Sequence, residues 1–579
     1  MPILRYLESP LDDLLRRAAD RDADAPAVVT AGAAVTFAAL DREADRVAGY
    51  VRRTVRRADA VVAAATTLDA VFPAVYYGTV RSGQLLALLD PQMGPAALHE
   101  VCASAGVEIA FVPGPLAALL AALADRLPRL HTVVVTDPAP RPASARPASA
   151  RPASARPGSA RPASGLPLPL SVPVRVPAGG AVAGGRGACA VVALSAAVAG
   201  EAAGGPVRRA RPGVDAVACL QFAPDGAGRL KGVRLTHRNL VAGAAQTALA
   251  HRLGAASVAF NHLPQYHAVH LNSAVHAGAR QVLCTDADPF GALAEAARAE
   301  ATHYYGLPAR LDRLADDPRL AADRADLPGR HLRHLGAIHV SGGVLAPERA
   351  RTLRDALRVP VLQGYGLTEV FTLSHHQPPG SRPGLGAVGV PLPGTECRVV
   401  LPGGTRPAPV WSTGEVQIRG PQLSPGPVEE TGPAPRDTDG WLSTGDTGYL
   451  DADGGLHLVD AHRSVFTCDD ALVAPSVVER VIGQDPRVAE CIVADWPDPA
   501  RGALVWAGVV LREEFDAGAP ALLDVLDSVA EQANARLGPG EQIRRLEALD
   551  AVPRRPGGRP ARRELRLRLH ALAAGEAAA

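Results

Sequence analysis

The sequence predicts an α/β protein: a large N-terminal α/β domain of several subdomains, followed by a small, mobile C-terminal α+β domain. Three observations carry this expectation. Short apolar runs alternate with helical stretches as far as Asp137, and again from Val214 to about Val459, the pattern of a parallel sheet flanked by helices. A proline-rich tract separates the two blocks. Beyond Val459, short strands mix with longer helices, as in a small independent layer. The expected division is residues 1–138, a low-complexity insertion at 139–186, the rest of the large domain at 187–462, and the small domain at 463–579.

Ser9-Pro10-Leu11-Asp12 reads as a helix start, with a capping serine, proline in the first turn and an acid behind it. Leu11, Leu14, Leu15 and Ala18 follow at helical spacing. Thr36 opens a second helix through Leu40 to Val51. Strands are expected at Val61–Ala64, Leu85–Leu89, Val107–Val112 and Thr132–Thr136, with a helix over Leu116–Leu127. Arg-Pro-Ala-Ser-Ala then repeats from Arg141, Arg146 and Arg151, with variants from Arg156 and Arg161. Proline every fifth residue forbids a regular helix, and the repeats hold no side chain large enough to build a core. Limited proteolysis is expected to cut there first and next near a hinge at Arg463-Ser464; protection of 139–186 would contradict the disordered reading. In the small domain, strands are expected at Cys491–Ala494 and Val505–Leu511, and a helix at Leu522–Leu537.

The 579 residues suffice for roughly three to four domain-sized units. Sixty basic against 59 acidic side chains give a net charge of +1, which argues against a bulk nucleic-acid or membrane-surface binder. The arginines near the C-terminus lack the aromatic interleaving of a nucleic-acid surface. Seven scattered cysteines, never spaced as CxxC, fit reduced thiols better than disulfides or a zinc site. Met1-Pro2-Ile3-Leu4-Arg5 is unlike a signal peptide, and Asp69 and Pro73 interrupt the longest apolar stretch, so a soluble cytoplasmic protein without a membrane span is expected.

Only one of the 60 basic side chains is a lysine, Lys231. In a chain so biased towards arginine, a lone lysine suggests a role for a compact ammonium on a flexible stem. It closes the stretch Leu220-Gln221-Phe222-Ala223-Pro224-Asp225-Gly226-Ala227-Gly228-Arg229-Leu230-Lys231-Gly232, entered by an apolar strand and followed by a helix start at Thr236. Gly226 and Gly228 let backbone N–H groups converge on an anion, and a lysine can reach outer phosphate oxygens. Taken alone, two such glycines are as well explained by a turn. Downstream lie His262-Leu263-Pro264-Gln265-Tyr266-His267, Ser341-Gly342-Gly343, Gly364-Tyr365-Gly366-Leu367-Thr368-Glu369 and Trp441-Leu442-Ser443-Thr444-Gly445-Asp446. Val473-Ala474-Pro475-Ser476-Val477-Val478-Glu479 and Pro553-Arg554-Arg555-Pro556-Gly557-Gly558-Arg559 complete the series.

In this order and at these separations the segments resemble the adenylate-forming superfamily: acyl-CoA synthetases, fatty acyl-AMP ligases and nonribosomal adenylation domains. The resemblance implies ATP and Mg2+ as cofactors and attack of a carboxylate on the α-phosphate. The acyl-adenylate then passes to a thiol of coenzyme A or of an acyl or peptidyl carrier protein, in lipid or secondary metabolism. It implies Lys231, Thr368, Glu369 and Arg559 as catalytic residues. Gly226, Gly228, Lys231, Tyr365, Gly366, Thr368 and Asp446 would hold the nucleotide, with Tyr365 beside the adenine and Asp446 on the ribose hydroxyls. His267, Gly342, Gly343 and Gly364 would border the acyl group, and Glu369 would hold the magnesium.

Several positions depart from that pattern. Ala223 and Ala227 stand where hydroxyls are usual, Pro224 lacks an N–H, and Asp225 replaces a glycine. A carboxylate about 5 Å from one phosphate charge, at an effective dielectric of about 20, costs roughly 3 kcal/mol. As a magnesium ligand the same Asp225 would act with the opposite sign. The hinge carries Ala461 and Ser464 in place of arginine and an acid, and Arg559 stands for the lysine that completes the site. Two other readings therefore stand beside the ligase: a catalytically impaired member acting as a binding or scaffold subunit, and adenylation of an oxyanion other than a carboxylate.

Overall fold

A computed structural model of the chain describes residues 8–136, 189–199, 212–224, 230–321, 332–340, 342–343, 345–371, 373–381, 387–401, 406–428, 436–460, 466–469, 471–512, 515, 519–554 and 560–578. The Arg-Pro-Ala-Ser tract, the segment Asp225–Arg229, the hinge residues Ala461 to Ser464, and Arg559 lie outside them.

Two large sheets form the N-terminal α/β domain. The first is eight-stranded, and its parallel part contains Val61–Ala65, Leu85–Leu89, Val107–Val112 and Thr132–Val135. The first and third of these are buried at every residue, as parallel strands covered on both faces require. Val217–Pro224 joins this block in parallel and turns back antiparallel as Leu230–Thr236.

The second sheet is thirteen-stranded and mixed. Val361–Tyr365, Ala337–Val340, His303–Gly306, Val258–His262, Arg280–Leu283 and Pro26–Thr30 run parallel in that spatial order. Beyond Val361–Tyr365 every pairing is antiparallel, through His375–His376 to Glu396–Val400. The parallel expectation therefore holds for one half of this sheet only. Gly414–Arg419, in the antiparallel half, shows the reason: burial alternates along it, so only one of its faces meets the core.

The first helix departs from its predicted start. It spans Asp13–Arg21 with Asp12 at the N-cap, and neither Ser9 nor Asp12 caps it through its side chain. Asp12 is drawn instead to Arg81, whose fully buried guanidinium also meets Asp41 and Asp45 at 2.5–2.8 Å. Ser9 accepts from Arg17 at 2.5 Å. Thr36 does cap its helix, Phe37–Thr54, through the Ala39 amide. Thr236 and Asn239 form a reciprocal capping box at the head of His237–Ala250.

His237, the first residue of that helix, is buried and accepts the Leu11 amide at Nδ1, 3.1 Å away. Burial pushes its pKa down from 6.5 to about 4. Between those values the unfolded chain takes up a proton that the folded chain resists, so stability is complete above about pH 6.5 and is lost as the pH falls towards about 4. At about 1.4 kcal/mol per pH unit this amounts to about 3 kcal/mol. Denaturant midpoints at pH 7.5 and pH 5, compared between wild type and His237→Gln, should show a shallower acid loss in the variant; equal slopes would remove His237 as the cause.

The smaller C-terminal domain carries a three-stranded sheet, Val488–Asp498, Gly502–Leu511 and Ile543–Ala548, with helices Pro475–Ile482, Ala519–Asn534 and Arg562–Ala578. It packs closely on the N-terminal block. A Cβ on Gly94 would fall 2.5 Å from the backbone of Leu537 and Gly538, so this contact needs a glycine. Glu100 accepts the Leu230 amide at 3.0 Å with one oxygen and the Arg480 guanidinium at 2.6 Å with the other.

Candidate active site

Between the two sheets and the small domain lies a cleft of about 2240 Å³. Tyr365, Gly366, Thr368, Asp446, His267, Gly342, Gly343 and Gly364 all line it, so eight residues spread over 180 positions of sequence meet around one space. Lys231 and Glu369 are half-buried beside it and do not belong to the lining. Lys231 faces Ala223, a lining residue, across the hairpin. Asp225, Gly226, Gly228 and Arg559 fall outside the described residues.

Local chemistry positions each group. The strand Val361–Tyr365 ends at the cleft, and Thr368–Val370 follows as a single 3-10 turn. Phe371 stops that turn in the left-handed region, at φ 51°, with its ring against Gly243, where a Cβ would come within 2.8 Å. Glycine at 243 thus lets the helix His237–Ala250 approach the turn that bears Thr368 and Glu369. The Glu369 carbonyl accepts the Ser424 amide at 2.7 Å, fixing the turn from the other side.

Asp446 sits on Leu442–Leu450, where alternation buries Leu442, Thr444 and Asp446 and exposes Ser443 and Gly445. Thr444 donates to the Val416 carbonyl at 2.8 Å and accepts the Asp446 amide at 3.0 Å, which holds the strand in place. The Tyr365 hydroxyl donates to Asp446 Oδ2 at 2.5 Å. Burial, then the adjacent Asp446 charge and this hydrogen bond, raise the Tyr365 pKa well above its ordinary value, so the phenol stays a donor and the carboxylate an acceptor. The result is a buried, oriented carboxylate at the cleft wall, suited to accepting paired hydroxyl donors.

The small domain contributes charges that the sequence reading left in a basic tail. Glu479 and Asp495 line the cleft, as do Arg562, Arg566 and His570. Arg562 pairs with Glu479, while Arg566 and His570 reach Asp495 at 2.8 and 2.9 Å. Burial works to raise the Asp495 carboxyl, but the His570 hydrogen bond and the Arg566 charge hold it below its usual value. These arginines answer internal carboxylates and do not form an open basic stripe.

Sequence reasoning missed one feature altogether. His251, His270, His339 and His376 also line the cleft, together with Tyr305. Burial drives the pKa of each histidine down, to about 3 for His270 and about 4 for His376, so the cluster is uncharged at neutral pH. These histidines lie on separate elements, and no local spacing joins them. For His339 and His376 the available signal was a histidine within a strand that otherwise reads as apolar, in Ile338-His339-Val340 and His375-His376; His251, at the end of a helix, and His270, within one, gave no such signal.

Among the described residues, no helix is long and apolar enough to cross a membrane. The family model described as AMP-binding enzyme matches residues 15–426. The 4-coumarate–CoA ligase-like 9 protein of Arabidopsis thaliana is 28% identical over 361 residues, covering 60% of this chain and 61% of that protein. The chain thus spans about 61% of the length of the first curated relatives it matches. A long-chain-fatty-acid–CoA ligase of Salmonella typhimurium is 26% identical over 573 residues, covering 96% of this chain and 94% of the relative. The solved o-succinylbenzoate CoA synthetase of Bacillus subtilis superposes with a TM-score of 0.72 at 20% identity, covering 96% of this chain and 98% of that one.

Proposed function

The chain belongs to the AMP-binding enzyme family, and from that premise we propose that it activates a carboxylic acid with ATP as an acyl-adenylate and passes the acyl group to a thiol. The observation that carries this reading is the buried Asp446–Tyr365 pair in one cleft with Thr368, Gly366 and the Gly342-Gly343 turn. Asp446 offers acceptors to a ribose diol, and Tyr365 and Gly366 form the wall beside it. Thr368 supplies a hydroxyl for the α-phosphate region, and Lys231, across the hairpin from Ala223, supplies the positive charge for outer phosphates. Glu369, on the same turn as Thr368, is a hard oxygen donor of the kind magnesium takes, and the ion would neutralise phosphate charge. Pyrophosphate leaves as the acyl oxygen attacks in line, a step that needs charge neutralisation and positioning more than a protein nucleophile.

On the other side, His267 and the backbone of Gly342, Gly343 and Gly364 border the space for the acyl group. The thiol is that of coenzyme A or of a carrier-protein arm. We place the domain boundary at 462/463, which assigns Arg559 to the small domain. The departures at Asp225, Ala461 and Ser464 favour a second reading, an impaired member that binds without turning over.

ATP–pyrophosphate exchange against a panel of carboxylic acids, with Lys231→Ala as control, tests the proposal. Exchange that depends on both the acid and Lys231 supports the ligase. Tight ATP binding without exchange for any acid supports the impaired reading, and exchange with a non-carboxylate oxyanion alone moves the reaction to that nucleophile.

A further inference from the structure

We propose that His251, His339 and His376 form a site for a divalent transition-metal ion, zinc above all, in the wall of the cleft. One ring nitrogen from each lies within 4.8 Å of the others. All three residues are more than nine-tenths buried, and all three line the cleft. His339 Nδ1 and His376 Nε2 share a hydrogen bond at 3.0 Å, and the ring that donates would carry its proton on the other nitrogen when both face an ion. Two nitrogens on a tetrahedral zinc, each bonded at about 2.0–2.1 Å, are separated by about 3.3 Å, so this pair spans nearly the required edge.

His251 supplies the third donor. Its Nδ1 is held by the Tyr305 hydroxyl at 3.0 Å, while its Nε2 is buried with no hydrogen-bond partner. With the proton on Nδ1 and directed to Tyr305, the lone pair lies on Nε2, the outer-shell arrangement that fixes a ligating imidazole. His303 donates Nε2 to the His251 carbonyl at 2.8 Å and anchors the end of the helix that carries it. His339 and His376 sit on the two strands that flank Val361–Tyr365, so the sheet itself sets their separation.

Imidazole binds a metal only when neutral. Three imidazoles leave a fourth position open, as at zinc centres that take an exchangeable ligand. Because the ligands are uncharged, the full charge of the ion remains and favours an anionic or strongly polarised donor there. The three histidines line the cleft, so that position faces the space the proposed function gives to the acid. The metal site itself stands whether or not that function does.

The test uses the full chain without a histidine tag, stripped with chelator and dialysed against zinc sulfate and then metal-free buffer. Elemental analysis should find one zinc per chain, and cobalt in its place should give the intense visible absorption of a tetrahedral centre. His251→Ala and His376→Gln should each weaken zinc binding more than 100-fold, beyond the ten- to hundred-fold typical of outer-shell changes. Exposed His334→Ala should leave binding unchanged. Far-UV circular dichroism identifies any variant that fails to fold, and the wild-type cobalt spectrum needs no variant. No retained metal, a cobalt spectrum of octahedral intensity, or full zinc binding in folded His251→Ala would overturn the proposal. Loss of pyrophosphate exchange with zinc binding intact would overturn the ligase reading alone.

Discussion

Arg81→Leu is expected to destabilise the N-terminal domain by about 3–5 kcal/mol, the usual loss when one partner of a buried charge cluster is removed. The Arg81 side chain is fully buried. It donates Nε and one terminal nitrogen to Asp12, and its terminal nitrogens also reach Asp45, the Asp41 carboxylate and the Asp41 carbonyl. Without it three carboxylates converge on a space that leucine cannot neutralise, and Asp12, the most buried of them, has the least water to take the place of the guanidinium. Those acids tie the segment before the first helix to the helix Phe37–Thr54, so the loss should spread through that core and not stay local. Arg81→Lys keeps the charge but not the fork that serves several acceptors at once, and should recover only part of the stability. Urea titration is the measurement, with Arg16→Ala as the control, since its pair with Asp20 is exposed. Exposed pairs are worth about 0–1 kcal/mol. A midpoint for Arg81→Leu as close to wild type as that of the control would show that the cluster contributes nothing.

The second large effect falls on the nucleotide. Asp446→Ala is expected to weaken ATP binding by roughly 2 kcal/mol, about thirty-fold, for loss of a charge-assisted acceptor in a closed site. The same change takes the charged acceptor from the buried Tyr365 hydroxyl and leaves it only Thr444, so part of the loss would be a cost to the protein and not to the ligand. Tyr365→Phe separates the two. It removes the donor and leaves the carboxylate, and should cost stability while keeping most of the ATP affinity. In the double variant the stability losses should fall short of additive, while ATP affinity follows Asp446 alone. Calorimetric titration with ATP reads the affinity of all four proteins, and urea denaturation reads their stability. Unchanged affinity in Asp446→Ala would place the nucleotide elsewhere.

Much of this arrangement was legible because it depends on local pattern. The strands Leu85–Leu89 and Val107–Val112 appear at the expected residues, since a short, wholly apolar run in an α/β chain has few other places to go. Asp446 and Tyr365 were found through short motifs whose glycines and hydroxyls shape the chain around them. What escaped was set by distant partners. Ser9 reads as the cap of the first helix with Asp12 an acid behind it, but the helix begins at Asp13 and an arginine 69 residues away claims Asp12. The antiparallel half of the large sheet escaped although strands such as Gly414–Arg419 alternate, because alternation reports a one-sided core while pairing direction is settled by the connections. The histidine cluster is assembled from elements spread between His251 and His376, and each member alone looks like an ordinary core histidine.

Glu100 gives the docked small domain a further consequence. One carboxylate holds both the amide at the head of the Lys231 strand and an arginine of the helix Pro475–Ile482. Two equilibria therefore share an acceptor: how firmly that strand is set, and whether the small domain is seated. If seating changes the affinity of the strand for an anion by some factor, the anion must change the seating equilibrium by the same factor. The exchange is symmetric in free energy whichever event comes first. A group with no part in the chemistry thus joins occupancy at one end of the cleft to domain position at the other, and Glu100→Gln would weaken that thermodynamic link while leaving every residue of the lining in place.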